Sequence, residues 1–171
     1  MIHAYDGKTP KIDPTAWVAQ SADVVGDVEL GAEASIFFQC VVRADVHRVR
    51  IGARTNIQDQ CTIHVSKGTH PTIIYEDVTL GHRVIVHGAE VHPGALIGIG
   101  SIVLDGCVIE EGAMVGANSL VTAGTVVPAG KLVLGSPARV VRDVTDADRE
   151  WMATTVATYM GLAQDYKRSG S

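Results

Sequence analysis

The chain has 171 residues, enough for one domain with a real core and too few for two. Only 19% of residues are charged and 5% aromatic, so the core must come from many Val, Ile, Ala and Gly side chains, which favours a repetitive β architecture. Fourteen Lys and Arg against 19 Asp and Glu leave a net charge of −5 without a run of like charges, which excludes the basic footprint of a nucleic-acid binder.

The first 17 residues form an N-terminal segment. Its opening, MIHAYDGKTP, lacks the basic start and apolar centre of a secretory signal. No apolar run further on is long enough to span a bilayer. The expectation is a soluble, cytoplasmic protein without a membrane partner.

From Val18 to about residue 138 an aliphatic residue returns every six positions. The series runs Val18, Val24, Leu30, Ile36, Val42, then Ile51, Ile57, Ile63, then Ile74, Leu80, Val86, and from Val91 to Val133 without a break. A helix would repeat every 3.6 residues and a simple strand every two, so a period of six means short strands joined by corners. This is the hexapeptide pattern of an all-β solenoid, a left-handed parallel β-helix, in which resemblance to that class of repeat implies three hexads to each triangular coil. The fifth residue of each hexad is small or β-branched, and Cys40, Cys61 and Cys107 all fall there. An odd number of cysteines without CxxC spacing argues against disulfides and a structural zinc cluster, so the three are expected to be buried thiols.

Three interruptions break the period: Arg48 to Arg50, Thr69 to Ile73, and the five-residue member Val86 to Glu90. Insertions in solenoids sit at corners and often border sites. After Pro137 the period ends. Thr145 with Asp148 reads as a capping box, and Met152, Val156, Tyr159, Ala163 and Tyr166 recur at helical spacing, which predicts one C-terminal helix over residues 145–168 packed along the solenoid.

Winding the hexads in threes puts those at Val42, Ile63 and Val86 on one face, so their second residues, Arg43, His64 and His87, form a column. The hexads at Ile36, Ile57 and Leu80 share the preceding face, with Phe38, Asp59 and His82 as their third residues. His64 and His87 are then one strand spacing apart, close enough to share a metal ion. His82 projects from another face, so one chain cannot complete a three-histidine site. A threefold oligomer brings the His82 of one chain to the His64 and His87 of its neighbour. His3, His47, His70 and His92 show no such alignment and read as surface residues.

The stretches VVRADVHRVRIGARTNIQDQCTIH and VTLGHRVIVHG, with LGSPAR at the end of the repeat, resemble the γ-class carbonic anhydrase-like branch of the hexapeptide-repeat proteins. The resemblance runs from about Ile12 to the C-terminal helix. It implies a homotrimer with metal sites between subunits, liganded by His64 and His87 from one chain and His82 from the next. It implies Zn²⁺, with Fe²⁺ or Co²⁺ as alternatives because three imidazoles and a water suit each. It also implies an Arg43–Asp59 ion pair across the interface, with Asp45 and Gln58 lining the site and Gln58 orienting the reactive water. The implied reaction is reversible hydration of CO₂ to bicarbonate, since bound Zn²⁺ lowers the pKa of its water to about 7.

Two departures argue against high turnover. Active family members carry a glutamate where this chain has Val46, and an acidic loop where it has SKGTHPTIIYED. Proton export would then fall to Glu76, Asp77, Tyr159 or buffer. Two other readings stay open: a hexapeptide-repeat acyltransferase or acyl-coenzyme A thioesterase, and a non-catalytic trimer locked by metal.

Overall fold

An aliphatic residue every six positions requires the chain to turn a corner every six positions, and most of these corners place one residue in the left-handed region. The computed structural model, which describes residues 1–170, shows that residue at regular intervals. In the later coils it is almost always glycine, at positions 94, 100, 106, 112, 124 and 130, with Asn118 in the one gap. In the earlier coils it is Glu33, Gln39, Arg54, Gln60, Asp77 and Arg83, with φ between 57° and 62°. Side chains there carry a strain of order 1 kcal/mol each. They also gain contacts that glycine lacks: Gln60 donates to Gln39 at 2.9 Å, and Arg54 grips both carboxylate oxygens of Asp77 at 2.6 and 2.5 Å.

The result is a left-handed parallel β-helix of about 7 turns with one C-terminal helix. Its first face stacks Trp17–Val18, Ser35–Ile36, Asn56–Ile57, Thr79–Leu80, Leu96–Ile97, Met114–Val115 and Lys131–Gly135 as parallel strands. The second face aligns Val24, Val42, Ile63, Val86, Val103 and Val121, and the third Leu30, Ile51, Ile74, Val91, Ile109 and Val127. Every aliphatic residue of the period from Val24 to Val133 is buried, each Ile worth roughly 2–3 kcal/mol in transfer from water. The small fifth residues are buried beside them, and the three cysteines are buried and free. Each thiol points at a backbone carbonyl of the next coil, Cys40 at Gln58 O (2.9 Å), Cys61 at Gly81 O (3.2 Å) and Cys107 at Thr122 O (3.1 Å).

The ladder begins before the period does. Ile2–His3 pairs with Val24 and Val25, and Lys11–Ile12 with Glu29 and Leu30, so the N-terminal segment supplies part of a coil.

Two interruptions lie elsewhere than the six-residue count places them. Val41–Ile51 is one strand that turns the corner between second and third faces, and its surplus lies in Asp45–Arg48, which stand opposite the single residue Asp27. Val49 and Ile51 are held in the core opposite Val28 and Leu30, which fixes Arg50 outward and leaves only the preceding residues free to bulge. Likewise Thr72 and Ile74 point inward in the strand Thr72–Ile74, so the second insertion is the turn before it, closed by an antiparallel bridge between Ser66 and His70.

Helix α1 (Asp146–Ser169) starts at a reciprocal capping box, Thr145 with Asp148, and covers the first face. Met152 closes a cluster with Leu96, Met114, Leu132 and Val144. Tyr166 stacks on Trp17 with ring centroids 5.2 Å apart, and Tyr159 meets Phe37 edge-on at 5.1 Å. Among the described residues no helix is long and apolar enough to cross a membrane.

Candidate metal centre

The corner after the second face gathers four functional side chains, one from each of four successive coils. His64 ends the strand Thr62–His64 and His87 ends Ile85–His87; the two residues are Cα partners, as winding in threes requires. The bulge that begins at Asp45 brings its carboxylate to the same corner from the coil below, and Asp105 reaches it from the coil above.

Each ring is fixed at one nitrogen by a carboxylate. His64 Nε2 lies 3.1 Å from Asp45 Oδ1, and His87 Nδ1 lies 2.6 Å from Asp105 Oδ1. The remaining nitrogens, His64 Nδ1 and His87 Nε2, face each other at 3.1 Å. Two imidazole nitrogens on one tetrahedral ion, with bonds of about 2.0–2.1 Å, stand about 3.3 Å apart. The pair therefore fits two positions of a divalent metal's coordination sphere.

The carboxylates are tuned for this role. Burial, the largest single influence on Asp45, pushes its carboxyl up, but hydrogen bonds from His64 and Arg43 outweigh it and hold the group below the usual carboxylate range. Asp105 shows the same balance, with burial opposed and overcome by His87 and Ser66. The lowered carboxyl groups favour the ionised form, so each ring has a charged acceptor behind it, as histidines that bind metals commonly do.

His82 stands at a different corner, the one after the first face. Its Nδ1 pairs with Asp59 Oδ2 at 2.7 Å, and its Nε2 lies 3.4 Å from the Tyr159 hydroxyl of α1. Among the described residues no three His, Cys, Asp or Glu side chains of one chain are grouped so as to hold a metal ion. Gln58 is buried near that corner, donating to Asn56 Oδ1 at 3.2 Å, and it lines an apolar groove of about 260 Å³ with Leu96, Ile97, Met114 and Trp151.

Within the chain Arg43 pairs with Asp45, two residues on, while Asp59 pairs with His82. The Arg43–Asp59 pairing implied by resemblance is thus not made inside one subunit. Glu76 and Asp77 sit at the third corner, where Asp77 is engaged by Arg54, so neither faces the imidazole pair of its own chain. The other histidines are part-exposed: His3 pairs with Asp23 at 3.1 Å, His70 with Thr69 at 3.1 Å, and His92 packs on Tyr75. Asp105 and Ser66 were not among the residues singled out by sequence. Asp105 follows His87 by 18 positions, one coil of the regular repeat, and that offset is the signal that leads to it.

Comparison with known proteins gives this arrangement its relatives. A family model described as bacterial transferase hexapeptide (six repeats) matches residues 88–123. A Geobacillus kaustophilus protein named carbonic anhydrase is 49% identical, over 98% of this chain and 91% of that one. The chain belongs to the γ-class carbonic anhydrase-like family of hexapeptide-repeat proteins. Another member, gamma carbonic anhydrase 1 of Arabidopsis thaliana mitochondria, is 41% identical over 96% of this chain, which spans 61% of that longer protein. Among solved structures, a Bacillus cereus protein put forward as an acetyltransferase superposes with a TM-score of 0.96 at 46% identity, covering 98% of this chain and 96% of that one. The two names divide the family between lyase and transferase labels on one backbone.

Proposed function

We propose that this chain is a metal-dependent γ-carbonic anhydrase-like enzyme that hydrates CO₂ reversibly at sites between the subunits of a homotrimer. The observation that carries the reading is the imidazole pair: two ring nitrogens 3.1 Å apart, each ring backed by an ionised carboxylate. His64 and His87 would hold the ion from one chain and His82 from the next. A divalent metal, Zn²⁺ or equally Fe²⁺ or Co²⁺, supplies the Lewis acidity that makes water nucleophilic at neutral pH.

The chain's own groups do the rest. Asp45 and Asp105 fix the rings. Gln58 presents an amide beside an apolar groove suited to an uncharged, apolar substrate such as CO₂. Asp59 holds His82 at Nδ1 and so orients the ring, and Nε2, which the Tyr159 hydroxyl reaches at 3.4 Å within one chain, is the nitrogen it would give up to an ion. Val46, Ile85 and Ile99 are exposed apolar side chains that a protein partner would cover more favourably than water.

Stopped-flow CO₂ hydration by the metal-loaded protein tests the reading. Wild type is expected to exceed buffer, and His64→Ala to lose at least about 100-fold because the ion loses a ligand. Equal rates for both would refute it.

The acetyltransferase label on the Bacillus cereus structure supports a second reading, acyl transfer or thioester hydrolysis. Assaying a panel of acyl-coenzyme A thioesters before and after chelation separates the two. Turnover that survives chelation favours the second.

A further inference from the structure

His87 is oriented by a carboxylate that spans three coils. Asp105 Oδ1 meets His87 Nδ1 at 2.6 Å, while Asp105 Oδ2 accepts a hydrogen bond from Ser66 Oγ at 2.8 Å. Ser66 belongs to the coil of His64, His87 to the next, and Asp105 to the one after. The carboxylate is pinned at both oxygens and cannot rotate away without losing one partner.

Room for this reach exists only because residue 88 has no side chain. A Cβ on Gly88 would stand 2.2 Å from Asp105 Oδ1 and 2.8 Å from His70 Cβ, and the residue has φ +58°. The glycine following the histidine is therefore the gap through which the carboxylate passes.

A neutral imidazole in water prefers its proton on Nε2. An ionised acceptor at Nδ1 reverses that preference and leaves Nε2 with a free lone pair, aimed here at His64 Nδ1. We propose that Asp105, held by Ser66 and admitted by Gly88, is the positioning residue that fixes His87 as an Nε2 ligand for a divalent metal ion. This rests on the metal-binding reading of His64 and His87.

Two measurements on the full chain test it. In metal-stripped protein, long-range ¹H–¹⁵N correlation reads which His87 nitrogen carries the proton: Nδ1 in wild type, predominantly Nε2 in Asp105→Ala. Competition with a chromophoric chelator reads Zn²⁺ affinity, expected to fall about 10- to 100-fold in Asp105→Ala, less in Asp105→Asn, whose amide oxygen still accepts, and comparably to Asp105→Ala in Gly88→Ala.

Unchanged zinc affinity in Asp105→Ala, with His64→Ala binding weakly, overturns the positioning role and leaves the metal site standing. Weaker binding with the His87 proton still on Nδ1 also overturns it, reducing Asp105 to a charge effect. Wild-type affinity in His64→Ala overturns the metal reading itself. Should Asp105→Ala fail to fold, Asp105→Asn decides, and full wild-type affinity there refutes the proposal.

Discussion

The second and third faces of the solenoid share a backbone and a period but dress their outer sides differently. On the third face the outward column begins with Lys11, Glu29 and Arg50, with Lys11 to Glu29 at 3.2 Å, Arg50 to Glu29 at 3.2 Å and Arg50 to Asp27 at 2.8 Å, and continues through Ile73, Glu90, Val108 and Val126. On the second face the outward column is Val41, Thr62, Ile85, Ile102 and Leu120, in which Thr62 and Ile85 each stand two residues before an imidazole of the pair. The third-face stretch from Lys11 to Arg50, whose charges answer one another, is content in water. One that shows apolar side chains and two facing imidazoles gains by meeting another protein surface.

The sharpest way to break this contrast is to place a charge on each face. Ile85→Arg is expected to abolish the proposed trimer and with it metal retention, giving the mass of a single chain in light scattering. Val126→Arg, on a third-face residue that is 53% exposed, should leave the mass unchanged. Equal behaviour of the two variants would remove the distinction between the faces.

A middle-sized effect comes from acid. Asp27, at the corner opposite the Asp45–Arg48 bulge and paired with third-face Arg50, is held below its ordinary carboxyl range, first by Lys8 and then by Arg50, as Asp45 and Asp105 are at the site by their own hydrogen bonds. A depressed folded-state pKa means support that is complete above the unfolded value, about 3.9, and lost as pH falls through the lowered one. Urea unfolding should therefore show stability from these groups unchanged above about pH 5 and falling below about pH 4. Asp27→Asn, which releases third-face Arg50, and Asp45→Asn, which releases His64, should each flatten that fall.

The smallest effect is the loss of one rung. Arg50→Ala should cost about 1 kcal/mol in chemical unfolding, since the pair network is part-exposed and screened. It should leave CO₂ hydration untouched. A loss of activity would tie the third face to the site.

Much of the architecture is readable from residue spacing. The aliphatic period marks the corners, and counting hexads in threes makes His64 the neighbour of His87 and His82 the neighbour of Asp59, both observed contacts. Thr145 and Asp148 mark the start of the helix, and its apolar stripe marks the face it covers. The placement of the two insertions was less legible. Residues such as Arg50 and Ile73 alternate outward within strands, and a six-residue count cannot tell an outward strand residue from a loop. Asp105 escaped for a related reason. A lone aspartate 18 positions beyond a histidine has no local motif to mark it.

Spacing alone thus determined short strands joined by corners every six residues, followed by a terminal helix, because only that arrangement gives an aliphatic period of six; three hexads to each triangular coil was what the family resemblance implied. Which carboxylate stands behind which ring was settled only in three dimensions. Side-chain reach across coils depends on where a corner bulges, as at Asp45, and on where a missing Cβ leaves room, as at Gly88. Those are properties of packed neighbours, and no stretch of sequence holds both partners.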